Sequence, residues 1–386
     1  MDPAGRIDSG IILSVRVFTR MLISSDVAGR SVVAAARRVL TSPWLRPLND
    51  ADALDGLLAL ANPLWSVRAL RAEVVRVIDE TPDTRTFVLR PSWRWDGFVA
   101  GQHVCVEVEI EGVRHQRTYS LSSRPDEPTI AVTVKRHPGG RVSNFLHDAV
   151  RPGHVLGLSR ASGRFVLGDP PPRLLMLSAG SGITPVMSIL RDLHARRRAT
   201  DVVLVHSCRT PEDAIFRHEL AAHSRDWPRL RLAFVFTGET GRLDRERLVR
   251  LVPDWAERTS LLCGPAPFME MVRGMWREAG VDGRLRCESF TGPITAGVPG
   301  AETARVKCAR SGAVFQAARD RPLLVEAERS GLRPRHGCRM GICHTCLCRK
   351  VSGTVENLLT GAVSSEPDTM IQICVSAARS DLTLAL

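Results

Sequence analysis

An eleven-residue segment near the carboxyl end of the chain carries four cysteines, Cys338, Cys343, Cys346 and Cys348, and Cys374 follows after a long gap. Disulfide bonds are one interpretation, but a chain of 386 residues can bury its cores without them. The first residues show no secretory signal, so we expect a cytoplasmic chain with reduced thiols. Structural zinc is a second interpretation, but it usually takes two pairs of ligands, and only one further cysteine follows the segment.

A [2Fe–2S] cluster fits the spacing better than disulfides or zinc. Three of the cysteines are separated by four and then by two residues, and a fourth lies far along the chain, as in plant-type clusters. Gly337 and Gly341 suit the intervening loop, because its backbone must pass close to the cluster sulfides. We expect Cys348 to face the other way on an extended segment and not to bind iron. The expected iron ligands are Cys338, Cys343, Cys346 and Cys374.

A second chemical pattern surrounds the only tyrosine, Tyr119, in the segment RHQRTYSLSS. On a strand, Arg117 and Tyr119 share one face. The aromatic ring could cover an isoalloxazine while the guanidinium binds a phosphate. The segment GGRVSNFLHD (139–148) follows, and its glycines lead into a helix whose first amides would bind a pyrophosphate. Taken alone, Arg-x-Tyr-Ser also fits an ordinary barrel strand.

A third pattern, RLLMLSAGSGITPVMSILRDL (173–193), combines a buried strand, a glycine turn and a helix. The turn contains Gly180 and Gly182, and its exposed amides would bind a dinucleotide pyrophosphate. We expect Thr184 to cap the helix and Pro185 to occupy its first position. The next strand, DVVLVHS (201–207), leads to arginine rather than to an acidic residue.

The residues after that strand bear on the choice of nicotinamide cofactor. An NAD site usually has an acidic residue there for the ribose hydroxyls. Ser207, Arg209 and Arg217 would instead suit the 2′-phosphate of NADPH. We therefore expect NADPH as the cofactor. In the alternative, the cofactor is NADH and the arginines are ordinary surface residues.

The intervening sequence indicates how these sites are positioned. Short alternating runs predict an antiparallel β-barrel over 71–170, and alternating strands and helices predict a doubly wound parallel sheet over 171–290. A Gly/Pro-rich linker at 291–302 precedes a domain at 303–386, and residues 1–70 form a helical extension. The net charge of +12 is spread as arginine without an aromatic-interleaved basic motif, which argues against nucleic-acid binding.

Residues 303–386 resemble plant-type ferredoxins in length, cysteine spacing and strand-like ends, which implies a β-grasp fold. We call residues 338–346, which contain three of the expected iron ligands, the cluster loop. The segment differs from the acidic plant-type ferredoxins in charge, because the residues in and around this loop are basic: Arg333, Arg335, Arg339, Arg349 and Lys350. This difference implies either a docking surface of inverted polarity or electron supply from within the same chain.

The upstream motifs are similar to those of the ferredoxin–NADP reductase superfamily. Most members of this superfamily bind FAD, whereas the phthalate-dioxygenase-reductase branch binds FMN. The glycine–serine turn favours FAD. In this superfamily a Cys-Gly-Pro turn places a cysteine near the nicotinamide, and a carboxylate lies close to the flavin. The matching catalytic candidates are Tyr119, Ser120, Cys263 and Glu288. The flavin candidates are Arg117, Tyr119, Ser120, Gly140, Val142 and Ser143, and the nicotinamide candidates are Gly180, Gly182, Thr184, Pro185, Ser207, Arg209, Arg217, Gly264 and Pro265.

The order of domains implies electron flow from NADPH through FAD and a [2Fe–2S] cluster to a separate acceptor protein, because the flavin can join a two-electron donor to a one-electron acceptor. The chain looks most like the electron-transfer partner of stearoyl-CoA 9-desaturase, which implies a membrane desaturase as acceptor. A soluble oxygenase, epoxidase or cytochrome P450 is the alternative, and an iron–sulfur redox sensor is an alternative of another class. Residues 1–70 contain basic amphipathic segments, which either pack on the barrel or associate peripherally with a membrane.

Overall fold

The computed structural model describes residues 51–290 and 302–386, apart from residues 338, 340, 342–344 and 360. Residues 1–50 of the expected N-terminal extension and residues 291–301 of the expected linker therefore lie outside the described residues. Two of the expected iron ligands, Cys338 and Cys343, lie outside them as well. The described parts form three sheet-based units in the order that the sequence predicts.

The first unit is an antiparallel six-stranded sheet of barrel type, preceded by helix α1 (Ala51–Ala61). Alternating side chains such as Val74, Phe87 and Val104 fill its interior, which explains the alternating sequence pattern. Helix α2 (Arg141–Ala149) packs Val142 and Leu146 against this interior. The strands are β1 (Leu70–Thr81), β2 (Thr84–Pro91), β3 (His103–Ile110), β4 (Val113–Ser120), β5 (Ile130–Lys135) and β6 (Val155–Leu158), in the spatial order β4-β3-β6-β1-β2-β5.

The second unit is a five-stranded parallel sheet with helices on both faces. Because both faces are covered, strands such as β7 are apolar almost throughout. Its elements are β7 (Arg173–Ala179), α3 (Ile183–Ala195), β8 (Asp201–Cys208), α4 (Arg217–Asp226), β9 (Leu230–Phe236), α5 (Thr237–Thr240), α6 (Arg245–Leu251), β10 (Thr259–Cys263), α7 (Ala266–Glu278) and β11 (Leu285–Glu288). The spatial strand order is β11-β10-β7-β8-β9, so the carboxyl ends of β7, β8 and β10 meet at one edge.

The third unit is a mixed five-stranded sheet with a small three-stranded sheet beside it, and helix α8 packs on them as in a β-grasp fold. Strands β12 and β19 run parallel, whereas the other pairs are antiparallel. The elements are β12 (Thr303–Cys308), β13 (Val314–Ala318), α8 (Leu323–Arg329), β14 (Leu347–Ser352), β15 (Val355–Asn357), β16 (Val363–Ser364), β17 (Thr369–Gln372), β18 (Ser376–Ala378) and β19 (Leu382–Leu384). The spatial orders are β13-β12-β19-β14-β17 and β16-β15-β18.

Buried Lys350 fixes strand β14, which follows the cluster loop. Its ammonium donates to the backbone carbonyl oxygens of Gly353, at 2.8 Å, and Glu366, at 2.5 Å. Burial lowers the pKa of this amine. The sequence shows Lys350 only as part of a basic segment, but in the structure its hydrogen bonds hold the backbone of the domain together.

Candidate active site

The candidate flavin strand is β4, at the edge of the antiparallel sheet. Arg117 is exposed, whereas Tyr119 is half-buried and Ser120 is buried. Burial raises the pKa of the Tyr119 hydroxyl, so the ring stays neutral. The Arg117 guanidinium donates to the carbonyl oxygen of Gln116 at 2.7 Å and otherwise faces solvent. The strand thus presents an aromatic face and a cation on one side, as the sequence predicts.

Helix α2, whose first amides are the expected donors to a pyrophosphate, lies close to this strand. Gly140 is its N-cap, and no side chain caps the amides of the first turn. A Cβ at Gly140 would lie 2.5 Å from the Ser143 hydroxyl, so a larger residue there would displace that side chain. The Ser143 hydroxyl is already used, since it accepts from the His137 amide at 3.2 Å. The side chain of Val142 is buried in the barrel interior, so this residue can offer a ligand only its backbone.

Ser120 and Glu288 meet where the antiparallel sheet contacts the parallel sheet. The Ser120 hydroxyl donates to one carboxylate oxygen of Glu288 at 3.4 Å. The other oxygen lies 3.4 Å from Nδ1 of His103, and Nε2 of that histidine lies 3.1 Å from the Ser162 hydroxyl. Ser120 and His103 are buried and Glu288 is partly buried, whereas Ser162 is exposed, so the carboxylate is oriented from two sides by buried groups.

His103 is a functional candidate that sequence reasoning missed. It lies directly opposite Ser120 in the β3–β4 ladder. Gly163 leaves room for its ring, because a Cβ there would lie 2.8 Å from the imidazole. Only the strand register relates His103 to Ser120, and no local motif in the sequence reports that register.

Cys263 joins the same group of residues from the end of strand β10. It lies opposite Glu288 on β11 and opposite Ser178 on β7. Its thiol is completely buried, and burial, with the charge of Glu288 in second place, raises its pKa well above the ordinary value. The thiol is therefore protonated and packs in the apolar core of the parallel sheet, and its expected place near the nicotinamide stays a prediction.

The dinucleotide turn differs from the prediction at the start of helix α3. A 3₁₀ turn over Gly180–Gly182 runs directly into the helix, which begins at Ile183. Thr184 and Pro185 are therefore its second and third residues, and the prediction of a Thr184 cap and a first-position proline is wrong. The Thr184 hydroxyl donates to the Ser181 carbonyl at 3.0 Å. Both side chains are buried, which leaves the backbone of the turn as the surface for a phosphate.

The two glycines of this turn serve different purposes. Gly180 has a left-handed conformation with φ of 53°. Gly182 contacts the Cys263–Gly264 segment so closely that a Cβ would lie 2.2 Å from the Cys263 carbonyl oxygen. The absence of a side chain at Gly182 therefore allows the dinucleotide turn to pack against the turn that carries Cys263.

A cleft of about 590 Å³ opens at the carboxyl ends of the parallel strands. Gly180, Ser207 and Arg209 line it, as expected, together with Pro265. Arg242 also lines it, from the segment between α5 and α6, and sequence reasoning missed that residue. Both arginines are exposed, so two guanidinium groups are available at one end of a dinucleotide-sized space.

Arg217 lies elsewhere. It is the first residue of helix α4 and lines a separate cavity of about 600 Å³ with Glu80, Arg191 and Glu219. Arg191 pairs with Glu219 at 2.6 Å in that cavity. Arg217 is not among the residues that line the dinucleotide cleft, so the cleft gives no support to its predicted role beside Ser207.

The described part of the cluster loop brings two expected ligands together. The sulfur atoms of Cys346 and Cys374 lie 3.1 Å apart, and both side chains are buried. The Gly341 amide donates to the Cys374 sulfur at 3.3 Å, and Gly341 itself has a positive φ of 72°. Two adjacent buried thiols with a backbone donor fit one side of an iron–sulfur cluster. Within the described residues no group of three metal-binding side chains is found, as two of the four expected ligands lie outside them.

Cys348 points into the domain core, although not for the predicted reason. Cys346 lies in a turn before strand β14 begins at Leu347, so the two thiols are not related by alternation along one strand. The Cys348 thiol lies 3.7 Å from the Arg349 carbonyl oxygen, and burial raises its pKa. It stays a predicted non-ligand.

One contact joins the cluster loop to the flavin strand. The Thr345 hydroxyl donates to the side-chain oxygen of Gln116 at 3.4 Å. The Gln116 amide nitrogen in turn donates to Glu107 at 2.6 Å, which fixes its orientation. Gln116 is adjacent to Arg117 on the same strand, although its side chain faces the opposite side of the sheet, and Thr345 is adjacent to Cys346. The contact therefore brings the cluster loop against the strand that carries the flavin candidates.

Among the helices of the described residues, none has the length and apolar character needed to cross a bilayer.

Comparison with known proteins agrees with this architecture. Three family models match in succession: "Oxidoreductase FAD-binding domain" at residues 71–167, "Oxidoreductase NAD-binding domain" at 176–274, and "2Fe-2S iron-sulfur cluster binding domain" at 306–379. The chain belongs to the ferredoxin–NADP reductase family of flavin reductases that carry a [2Fe–2S] domain. It is an NAD(P)H-dependent oxidoreductase with FAD and a [2Fe–2S] cluster as cofactors.

Individual relatives cover most of the chain. It is 42% identical over 336 residues to an NADPH oxidoreductase of Mycobacterium tuberculosis, across 86% of this chain and 88% of the relative. It is 32% identical to the glycine betaine monooxygenase reductase subunit of Chromohalobacter salexigens, across 83% and 96%. The solved structure of phthalate dioxygenase reductase superposes with a TM-score of 0.57 at 26% identity, across 83% of this chain and 98% of that one.

Proposed function

We propose that the protein is the reductase component of an oxygenase system, which takes electrons from NADPH and delivers them through its cluster to a separate acceptor protein. The observation that carries this proposal is the contact between Thr345 of the cluster loop and Gln116 of the flavin strand. It supports a route in which electrons that enter at the flavin leave through the cluster domain. Bound FAD would supply the conversion of a two-electron hydride transfer into one-electron steps that a [2Fe–2S] cluster can accept.

The residues around Glu288 would position the hydride transfer. Ser120 and His103 hold the carboxylate from two sides, at 3.4 Å each. The neutral, buried thiol of Cys263 would keep water from the nicotinamide side without adding a charge. Tyr119 offers a neutral ring for stacking, and Arg117 and the first amides of helix α2 offer partners for the flavin phosphates.

NADPH is the proposed donor, and the two arginines of the cleft support that choice. Arg209 and Arg242 line the same cleft as Ser207, so a 2′-phosphate would find charge-assisted donors there. Two carboxylates also line this cleft. Asp83 is paired with Lys135 at 2.7 Å, whereas Asp213 is the group that the ribose hydroxyls of NADH could use instead. The relative from Mycobacterium tuberculosis is an NADPH oxidoreductase.

An oxygenase component is the proposed acceptor because the relative from Chromohalobacter salexigens is a monooxygenase reductase subunit. A membrane fatty-acid desaturase is the second candidate. It rests on the sequence resemblance described above and on the basic amphipathic segments of residues 1–70, of which residues 1–50 lie outside the described residues. In that case residues 1–70 would associate peripherally with the membrane.

Reconstitution tests the proposal. Purified protein is mixed with NADPH and, in separate reactions, with Rieske-type oxygenase components, cytochromes P450 or membranes that contain a stearoyl-CoA desaturase. Product formation with an oxygenase, dependent on an intact Cys374, is the expected result. Product formation only with the desaturase membranes would favour the second candidate. An oxygenase that receives electrons equally well from a Cys374→Ser variant would contradict the route through the cluster.

A further inference from the structure

Three large apolar side chains stay exposed beside the cluster loop. The exposed fractions are 42% for Leu347, 51% for Leu359 and 59% for Met370. We call these three residues the apolar patch. Exposed apolar groups that lie together, rather than scattered singly, are typical of interaction sites.

The three residues of the patch are grouped around one residue of the loop, Gly341. A Cβ at Gly341 would lie 3.1 Å from the Leu359 side chain. The Gln372 side chain donates to the Gly341 carbonyl oxygen at 2.7 Å. Gln372 is paired with Leu347 across the β14–β17 ladder and lies two residues from Met370, so these side chains share one sheet face.

The patch also lies close to the expected electron exit. The amide of Gly341 donates to the sulfur of Cys374 at 3.3 Å. One residue thus contacts Leu359 and Gln372 on one side and an expected iron ligand on the other. A protein bound to the patch would therefore be separated from that ligand by little more than the loop backbone.

Electron entry uses a different part of the loop. Thr345 contacts Gln116 of the flavin strand, whereas the patch contacts the loop at Gly341. Leu347 of the patch lies only two residues after Thr345. An acceptor that contacts the patch mainly through Leu359 and Met370 would leave the Thr345–Gln116 contact in place.

The charge of the domain indicates which kind of acceptor fits. Residues 303–386 contain twelve Lys and Arg but seven Asp and Glu, a net charge of +5. Arg339 is paired with Glu328, at 2.6 Å. Arg333 and Arg335 precede the loop, are exposed, and have no ion-pair partner among the described residues. The net positive charge of the domain and two exposed cations that directly precede the cluster loop in the sequence favour an acidic partner.

We propose that the apolar patch, with Arg333 and Arg335, is the docking surface for the acceptor protein, and that this acceptor presents an acidic face. The inference rests on the proposed function, because it requires that electrons leave through the cluster. The inference goes beyond the proposed function by naming where the acceptor binds and which charge the acceptor carries.

The test uses two one-electron proteins of opposite charge as probes, acidic plant plastocyanin and basic cytochrome c. NADPH-dependent reduction of each is measured at several ionic strengths, with ferricyanide reduction as the measure of flavin turnover. Wild-type protein is expected to reduce plastocyanin with a lower KM than cytochrome c. Added salt should slow plastocyanin reduction, because it screens the attraction.

Variants then separate the patch from the rest of the domain. Leu359→Gln and Met370→Gln should each raise the KM for plastocyanin at least about fivefold, with ferricyanide turnover unchanged. Val314→Gln is the matched control, since Val314 is 45% exposed on strand β13 at the other edge of the same sheet. It should leave all three reactions unchanged.

Four results would overturn the inference. Unchanged plastocyanin reduction by both patch variants would overturn the patch and leave the proposed function intact. A preference for cytochrome c would overturn the acidic acceptor. Reduction of ferricyanide but of neither protein would contradict the proposed function as well. Binding of wild-type protein, but not of the Leu359→Gln variant, to anionic phospholipid vesicles would assign the patch to a membrane surface instead.

Discussion

Replacing Arg209 or Arg242 with alanine should convert the enzyme from NADPH preference toward indifference between NADPH and NADH. Both guanidinium groups line the dinucleotide cleft beside Ser207. The phosphate that they would bind is present in NADPH and absent from NADH. Each substitution should therefore raise the KM for NADPH and leave the KM for NADH nearly unchanged.

The size of the effect follows from the exposure of these side chains. A hydrogen bond to a charged group contributes about 1.5–3 kcal/mol. Both arginines are exposed, so solvent screening places the loss near the lower limit, about 1.5 kcal/mol, which corresponds to about tenfold in KM. The double variant should lose less than the product of the single effects, because the two arginines would share one phosphate.

The assay is steady-state ferricyanide reduction with each nicotinamide, which does not depend on the acceptor protein. Arg217→Ala is the matched control, because Arg217 lines the separate cavity with Arg191 and Glu219. It should change the two KM values equally or not at all. The reasoning would be refuted if Arg209→Ala raised both KM values by the same factor, or if Arg217→Ala alone changed the selectivity.

Two further predictions concern the flavin strand. Arg117→Ala should weaken flavin retention, because a flavin phosphate would lose a charge-assisted partner worth about 1.5–3 kcal/mol; gel filtration at low flavin concentration measures the loss, and full retention would contradict the assignment. Gln116→Ala removes the contact to Thr345 and should slow electron transfer from flavin to cluster by about tenfold, while flavin reduction by NADPH stays unchanged. Stopped-flow absorbance separates these two steps, and an equal slowing of both would show that Gln116 acts on the flavin site instead.

Much of the fold could be predicted from local sequence patterns, because those patterns report burial. Alternating runs mark the strands of the antiparallel sheet, where one face is covered, as at Val104 and Val106. Continuous apolar runs mark β7 and β8, where both faces are covered. Burial of each strand thus determines its own sequence pattern, and the pattern identifies the class of sheet.

The parts of the site that depend on register or on contacts between domains could not be predicted in this way. His103 becomes a partner of Glu288 only because β3 pairs with β4 so that His103 lies opposite Ser120. The contact between Gln116 and Thr345 joins residues 229 positions apart. Such relations leave no periodic signal in either segment.

Local sequence also misjudged how the chain turns at two positions. Helix α3 begins at Ile183 because a 3₁₀ turn leads into it, which displaces Thr184 and Pro185 from the expected positions. Arg217 begins helix α4 directly after Phe216, which has a left-handed conformation, and it lines a cavity other than the dinucleotide cleft. A left-handed phenylalanine is rare enough that sequence gives no reason to expect it.

The most direct test of the central claim, that one chain carries electrons from NADPH through FAD to a [2Fe–2S] cluster, is anaerobic NADPH titration followed by electron paramagnetic resonance. Wild-type protein should contain two irons and two labile sulfides per chain and show a reduced-cluster signal after NADPH is added. Cys374→Ser should abolish that signal, and Cys348→Ser should retain it. Bound zinc in place of iron, no signal with NADPH, or loss of the signal only in the Cys348→Ser variant would contradict the account.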